Sequence, residues 1–154
     1  NIEFTDSIMN NSKVIIENYV YKGKRSILKQ ITIPPSVVSI GSGAFYDCSL
    51  LEQITLPSSL TSIGNNAFSE CVSLKQIKLP SSLISIGSNA FEGCCSLYEI
   101  IFPPSLASIG SGAFSKCLSL KQILIPSSVK FIGVGAFYGC SESSKITNNS
   151  ECKL

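Results

Sequence analysis

The sequence predicts an α/β solenoid that is rich in β-structure, because one 23-residue segment is repeated five times in succession without a gap. Residues 54–76 read ITLPSSLTSIGNNAFSECVSLKQ and residues 77–99 read IKLPSSLISIGSNAFEGCCSLYE, and the other copies occupy 31–53, 100–122 and 123–145. A fixed period between about 20 and 50 residues is typical of solenoids, in which each repeat buries its apolar face against its neighbours.

Residues 1–30 follow the repeat poorly, and we expect them to form a degenerate N-terminal cap. Shifted by one period, Val14 falls on an apolar column of the repeat, but Lys22 stands where the other copies have Phe and Arg25 where they have Cys. The segment 14–21 reads VIIENYVY and is apolar and β-branched enough to predict a strand.

Each full repeat begins with a short strand. Ile77 and Leu79 alternate with the polar Gln76 and Lys78, which indicates a strand with one buried face. Pro80 ends this strand, because proline has no N–H to donate to a ladder. We expect these strands to stack as the rungs of the main parallel sheet, about 4.8 Å apart, with right-handed connections.

The second half of each repeat is expected to return along another edge of the solenoid. Leu83 and Ile86 point inward in a second, shorter extended segment, and Gly87 supplies a backbone turn at low steric cost. Apolar residues then recur at helical spacing, which predicts a single helical or 3₁₀ turn over 89–94.

Two interior columns are aromatic and thiol-bearing. The predicted aromatic column consists of Phe45, Phe68, Phe91, Phe114 and Phe137. The predicted column of small, buried, free thiols consists of Cys48, Cys71, Cys94, Cys117 and Cys140. Cys95 and Cys152 lie outside that column, and two alternatives stay open for them: an exposed reactive thiol, or pairing between molecules.

The last copy loses the pattern, and residues 146–154 are expected to form a polar C-terminal tail that is either a crude cap or a frayed edge. Ile146 and Thr147 are placed to begin a sixth strand, but Asn148 stands where an apolar residue is required. Asn148-Asn149-Ser150 also fits the N-glycosylation pattern.

Composition excludes several classes of protein. A hydrophobic content of 44% excludes a disordered chain, and a net charge of +2 gives no basis for nucleic-acid binding. No apolar run is long enough to insert into a membrane. Histidine is absent and no glycine loop is of the phosphate-binding kind, so we predict no metal site, no cofactor and no enzyme. Because the chain begins at Asn1, we expect a processed product or part of a longer protein.

The consensus L-x-x-I-x-L-P-S-S-L-x-S-I-G-x-x-A-F-x-x-C-x-S resembles the leucine-rich repeat of the BspA type, strongly over residues 31–145 and weakly over 8–30. The resemblance implies a right-handed leucine-rich-repeat solenoid from a family of cell-surface proteins of certain bacteria and protozoan parasites. That family is thought to mediate adherence to host cells, extracellular matrix or other microbes. Its motif is a scaffold motif, so no catalytic residue carries over.

Outward strand positions that differ between otherwise similar copies are the candidate partner-binding surface. One such column reads Lys29, Glu52, Lys75, Tyr98, Lys121. A second reads Thr32, Thr55, Lys78, Ile101, Leu124. Between them runs a column of stacked amides, which is either a structural ladder or part of a ligand site: Gln30, Gln53, Gln76, Glu99, Gln122. The predicted binding residues are Lys75, Gln76, Lys78, Tyr98, Ile101, Lys121 and Leu124.

Two functions from different classes remain at this stage. The first is a surface-displayed adhesion module that binds a host or matrix protein through the exposed sheet, and the second is a structural spacer within a longer array. Phe131 and Val134, in the last copy, replace small polar residues and indicate either an adjusted end rung or contact with a following repeat or another chain. End-to-end self-association is therefore a further expectation.

Overall fold

Each copy of the repeat closes one turn of a parallel-strand β-solenoid, because positions that are apolar every 23 residues are buried together only when successive copies stack in register. The computed structural model describes residues 14–16, 26–141 and 145–152. The described residues form twelve short strands: β1 Val14–Ile16, β2 Gln30–Thr32, β3 Val37–Ile40, β4 Gln53–Thr55, β5 Ser62–Ile63, β6 Gln76–Lys78, β7 Ser85–Ile86, β8 Glu99–Ile101, β9 Ser108–Ile109, β10 Gln122–Ile125, β11 Phe131–Ile132 and β12 Lys145–Asn148.

The odd-numbered strands form one continuous six-stranded sheet in the order β1-β3-β5-β7-β9-β11. Its strands are parallel and keep the repeat register, with Ser62 opposite Ser85 and Ile86 opposite Ile109. Val14 pairs with Val37, as the shifted alignment predicts, although the register slips between Val14 and Ile15. The remainder of the predicted strand, 17–21, and the substitutions at 22 and 25 lie outside the described residues.

The even-numbered strands are arranged differently and form three separate parallel pairs, β2–β4, β6–β8 and β10–β12. The expectation that they build the main sheet is wrong, since the shorter second segment of each repeat forms the continuous sheet. A proline follows each even-numbered strand from β2 to β10 within two residues and removes the donor that would lengthen the ladder. At the C-terminal end Asn149 occupies the proline position, and its N–H donates to the carbonyl of Ile125 at 3.0 Å.

The predicted helical or 3₁₀ turn over 89–94 is not confirmed, because 88–93 form turns and the described residues contain no helix. The N–H groups of Asn89, Phe91 and Gly93 donate to carbonyls of the next turn at 2.8 to 2.9 Å, whereas those of the residues between them donate three residues back. Asn89 and Gly93 reach this geometry with φ of 54° and 70°. In a helix, all of these N–H groups would donate to carbonyls of the same segment. Here every second N–H donates to the next turn of the solenoid, so hydrogen bonds between turns take the place of a helix.

The glycine that precedes this turn is required by close packing between rungs. A Cβ atom on Gly87 would lie 2.6 Å from the backbone nitrogen of Asn65 in the preceding turn, and one on Gly64 would lie 2.7 Å from that of Ser42. These positions do not have a positive φ. The glycine column therefore permits the approach of successive backbones, which differs from the turn-forming role that the sequence indicated.

The core is a column of phenylalanine rings that runs through the stack. Centroids of successive rings are 5.1 to 5.6 Å apart and the rings are close to parallel. Phe45, Phe68, Phe91 and Phe114 are fully buried, and Phe137 at the end of the column is half-buried. Phe102, which replaces an aliphatic residue of the other copies, packs its ring edge-on against Phe114 at 5.4 Å.

The C-terminal tail continues the solenoid for part of a sixth turn. β12 pairs with β10 so that Ile146 lies opposite Ile123 and Asn148 opposite Ile125. The Asn148 side chain accepts hydrogen bonds from the Ser150 N–H at 2.9 Å and the Ser150 hydroxyl at 2.6 Å, and donates to the Cys152 carbonyl at 2.6 Å. These bonds satisfy a polar side chain at a position that is apolar elsewhere, and they engage the amide nitrogen that glycosylation would modify.

Candidate protein-interaction face

The outward side of the even-numbered strands, with the residue that precedes each strand, is referred to here as the paired-strand face. In β6 and β8 the middle residues, Ile77 and Ile100, are buried, and both neighbours of each are exposed. Period-two alternation therefore places the side chains of Gln76, Lys78 and Ile101 on the surface. β10 follows the same pattern, with Leu124 exposed.

Three large apolar side chains emerge on neighbouring rungs of this face. Tyr98 is 45% exposed, Ile101 is 71% exposed and Leu124 is 52% exposed. Single exposed apolar residues are ordinary on protein surfaces, whereas a group on adjacent rungs is typical of an interaction surface.

An open depression of about 530 Å³ lies at the margin of this face, beside the residues that precede the strands. Its lining combines two lysines, an aromatic ring, one leucine and three serines: Lys75, Ser96, Tyr98, Leu118, Ser119, Lys121 and Ser141. The depression brings together three of the seven predicted binding residues. Gln76, Lys78, Ile101 and Leu124 lie outside its lining, on the adjoining strands.

Hydrogen bonds hold two of the lining side chains in place. The Tyr98 hydroxyl donates to Gln76 Oε1 at 3.0 Å, which fixes the ring beside the depression. Lys75 Nζ donates to Glu52 Oε2 of the preceding rung at 2.8 Å. This hydrogen bond and the attraction between the two charges raise the pKa of Lys75 and lower the pKa of Glu52.

The paired-strand face is basic, since it carries five exposed lysines and two exposed glutamates: Lys29, Lys75, Lys78, Lys121 and Lys145, with Glu52 and Glu99. The whole chain has a net charge of only +2, so the remaining surface is close to neutral. The net positive charge is therefore concentrated on the side that also displays the apolar groups.

Leu118 is the apolar residue of the depression that the sequence did not predict, and the three serines of the lining were not predicted either. It is 57% exposed and follows directly after a cysteine of the buried column. The signal was available, because that position also varies between copies: Ser49, Val72, Cys95, Leu118, Ser141. The predicted binding surface was limited to outward strand positions, and this column lies just after the predicted helical turn.

The amide column does not form a continuous ladder. Gln30 lies opposite Gln53 and Gln76 lies opposite Glu99, but these pairs belong to separate two-stranded sheets. No hydrogen bond joins two side chains of this column among the described residues, and the amide oxygen of Gln76 accepts from Tyr98 instead. Gln76 therefore supports the aromatic side chain of the next rung.

The cysteine column is buried except at its end, where Cys140 is half-buried, and none of its members forms a disulfide. In four successive repeats the thiol donates to the carbonyl of the phenylalanine one repeat earlier at 3.2 Å: Cys71, Cys94, Cys117 and Cys140. Burial raises the pKa of each of these thiols, which keeps them protonated and unreactive.

The two cysteines outside this column are half-buried and free. The Cys95 thiol lies 3.8 Å from the carbonyl oxygen of Lys116. Cys152 takes the place that Val129 has one repeat earlier, and its thiol lies 3.6 Å from the carbonyl oxygen of Val129. Cys152 is thus part of an interior column of the incomplete sixth turn.

The end of the last complete turn is exposed. Phe131 is 57% exposed and Val134 is 90% exposed, and Tyr138 joins them. The 145–152 tail covers the strand half of this turn through β12, so these three residues lie in the half that the described part of the tail does not cover.

In the described ranges no cluster of His, Cys, Asp or Glu is placed to hold a metal ion. Those ranges also contain no helix with the length and hydropathy of a membrane span.

The geometry defines a leucine-rich-repeat protein whose repeats build a β-solenoid. The model of the BspA type leucine-rich repeat region matches residues 5–150 in six copies, and the chain belongs to this family. No match is found among curated proteins.

Solved structures of bacterial proteins show the same fold. The T. pallidum leucine-rich repeat protein, TpLRR, is 38% identical with a TM-score of 0.80, over 88% of this chain and 63% of that protein. A leucine-rich cell surface protein from Faecalibacterium prausnitzii is 33% identical with a TM-score of 0.73, over 91% of this chain and 43% of that one. The pneumococcal vaccine antigen PcpA is 31% identical with a TM-score of 0.67, over 73% of this chain and 28% of PcpA. This chain therefore spans less than two thirds of the length of each.

Proposed function

We propose that this chain is a surface-displayed protein-interaction module, and that it adheres to a host or extracellular-matrix protein through the paired-strand face. The observation that carries the proposal is the depression between Lys75, Tyr98 and Lys121, beside the exposed Ile101 and Leu124. Aromatic and aliphatic side chains within a basic surface are the composition expected of a protein-binding site.

Support for display at a cell surface comes from the structural neighbours. One structural neighbour is a cell surface protein and another is a vaccine antigen, and both have a similar fold. A solenoid suits this role, because its rigid core is independent of its outward residues. The outward columns can therefore differ between copies without loss of the fold.

A spacer within a longer array is the competing function. Its support is that the chain spans 63% of TpLRR and 43% of the F. prausnitzii protein, so that a partner site elsewhere in a longer protein is compatible with these lengths. A spacer carries no binding site on its own face.

Binding of the purified chain to extracellular-matrix proteins and to host cells tests the proposal. The variant Lys75→Glu, Tyr98→Ala, Lys121→Glu removes the side chains that line the depression. A matched variant, Lys116→Glu, Tyr138→Ala, Lys130→Glu, makes the same chemical changes at exposed residues outside the lining. Circular dichroism and urea unfolding confirm that each variant is folded.

We expect the native chain and the matched variant to bind, and the depression variant to lose binding. Equal binding by all three chains would move the site off the depression. Binding by none of them would favour the spacer.

A further inference from the structure

The depression has a chemistry that selects its occupant. Lys75, Tyr98 and Lys121 occupy one column on three successive rungs, so the two lysines are separated by about 10 Å of backbone with the ring between them. Leu118 adds an apolar wall, and the serines supply hydroxyl groups. Two cations that flank an aromatic and an aliphatic group fit a segment that carries a carboxylate next to an apolar side chain.

The two lysines differ in their present partners. Lys75 is bound to Glu52 at 2.8 Å, with the side chains 59% and 49% exposed. Lys121 takes part in none of the ion pairs between described residues. One cation is therefore available to a partner, whereas the other must first leave a carboxylate of this chain.

An ion pair as exposed as Lys75–Glu52 is weak, because water and salt screen it. It can therefore be exchanged for a carboxylate of a partner, but the partner gains only the difference between the two pairings. Glu52 is the sole acidic member of its column, in which the other copies carry Lys29, Lys75, Tyr98 and Lys121.

We infer that the depression binds an acidic segment of a partner protein, and that Glu52 is an intramolecular competitor that lowers the affinity by occupying Lys75. This inference rests on the proposed function, since it names the chemistry of the partner and a residue that regulates the same site. Removal of Glu52 should strengthen binding, although Glu52 makes a favourable contact in the free chain.

The test uses fluorescence anisotropy of the whole chain with labelled short peptides of alternating Glu and Leu. A peptide with Gln in place of Glu has nearly the same shape without the charge. Glu52→Gln should tighten binding of the Glu peptide about two- to fivefold, the range expected for an exposed ion pair. Lys121→Met should weaken it about fivefold, because methionine keeps the apolar stem and removes the charge.

Control variants make the same substitutions elsewhere. Glu92→Gln breaks the exposed Lys116–Glu92 pair, which is 3.0 Å long and lies outside the depression lining, and Lys130→Met removes an exposed lysine on another side. Neither should change the affinity for the Glu peptide. The Gln peptide should bind at least about tenfold more weakly than the Glu peptide.

Several results would overturn the inference. Unchanged or weaker binding by Glu52→Gln would show that Glu52 is no competitor, and equal affinity for the two peptides would show that charge is not recognised. Heparin binding without Glu-peptide binding would assign the lysines to a sulfated glycan. In each case, matrix-protein binding that the depression variant loses would leave the proposed function intact, whereas failure of the native chain to bind any protein would remove both.

Discussion

The two strand series of this solenoid share one period but differ in hydrogen bonding and in the residues that their outward columns carry. The odd-numbered strands form a continuous sheet of six, and Ser39, Ser62, Ser85 and Ser108 repeat along four of its rungs. The even-numbered strands break into three pairs, and their outward columns range from lysine to tyrosine and leucine. Serine recurs in one outward column of the continuous sheet, whereas the columns on either side of the amides on the paired strands vary between copies.

The comparison is tested most strongly in the shared interior. Phe91 is fully buried and stacks on neighbours at 5.2 and 5.1 Å, so Phe91→Ala should lower the free energy of unfolding by about 3–5 kcal/mol. Phe137 is half-buried at the end of the column, and Phe137→Ala should lose less than half as much. Urea unfolding followed by circular dichroism measures both, and equal losses would show that the column does not act as a stack.

The close approach of successive rungs next to the continuous sheet can be tested at a glycine. Gly87→Ala should destabilise the chain by about 1–3 kcal/mol, because its Cβ would lie 2.6 Å from backbone and side-chain atoms of Asn65. Gly135→Ala is the comparison, since its nearest contact would be an ordinary 3.6 Å and its cost, about 1 kcal/mol, comes from a φ of 65°. A larger loss at Gly135 in thermal or urea unfolding would contradict the role of close packing.

Alkaline pH tests the buried thiols that both strand series enclose. Burial raises the pKa of Cys94 above its ordinary value near 9.0, so its contribution to stability is complete below that pH and is lost as the pH rises towards the folded pKa. Each such thiol steepens the decline above pH 9.0 by up to about 1.4 kcal/mol per pH unit. The free energy of unfolding of the Cys94→Ala variant, measured with urea from neutral to alkaline pH, should fall less steeply with pH than that of the native chain. An equally steep fall would contradict the prediction.

The smallest effect on stability is expected on the paired-strand face. Ile101 is 71% exposed and has threonine as its counterpart in two other copies, so Ile101→Thr should change the free energy of unfolding by no more than about 0.5 kcal/mol. Ile100 is adjacent but 4% exposed, and Ile100→Thr should cost about 1 kcal/mol or more. If Ile101→Thr also weakens binding to the matrix protein that the native chain selects, the face separates function from stability.

Much of the core could be predicted from the sequence, whereas the candidate site could be predicted only in part. Phe91 and Cys94 recur in apolar columns, and repetition alone requires such columns to be buried. Leu118 and the Tyr98–Gln76 hydrogen bond depend on how the chain returns after the cysteine, which a periodic pattern does not specify. The predicted helical turn is not confirmed for the same reason, because Phe91 donates its N–H to a carbonyl of the next turn that lies 22 residues further along the chain.

The 23-residue period was sufficient to establish a stack of turns with the same residues inward at every level, because a repeated apolar pattern is buried only by stacking on copies of itself. The tertiary structure decided three further features: which strand series forms the continuous sheet, that the glycine column permits close packing of rungs, and that Lys75 pairs with Glu52. Each depends on the distance between two rungs at one point of the turn. That distance follows from the path of the backbone between strands, and the spacing of residues along the chain leaves it undetermined.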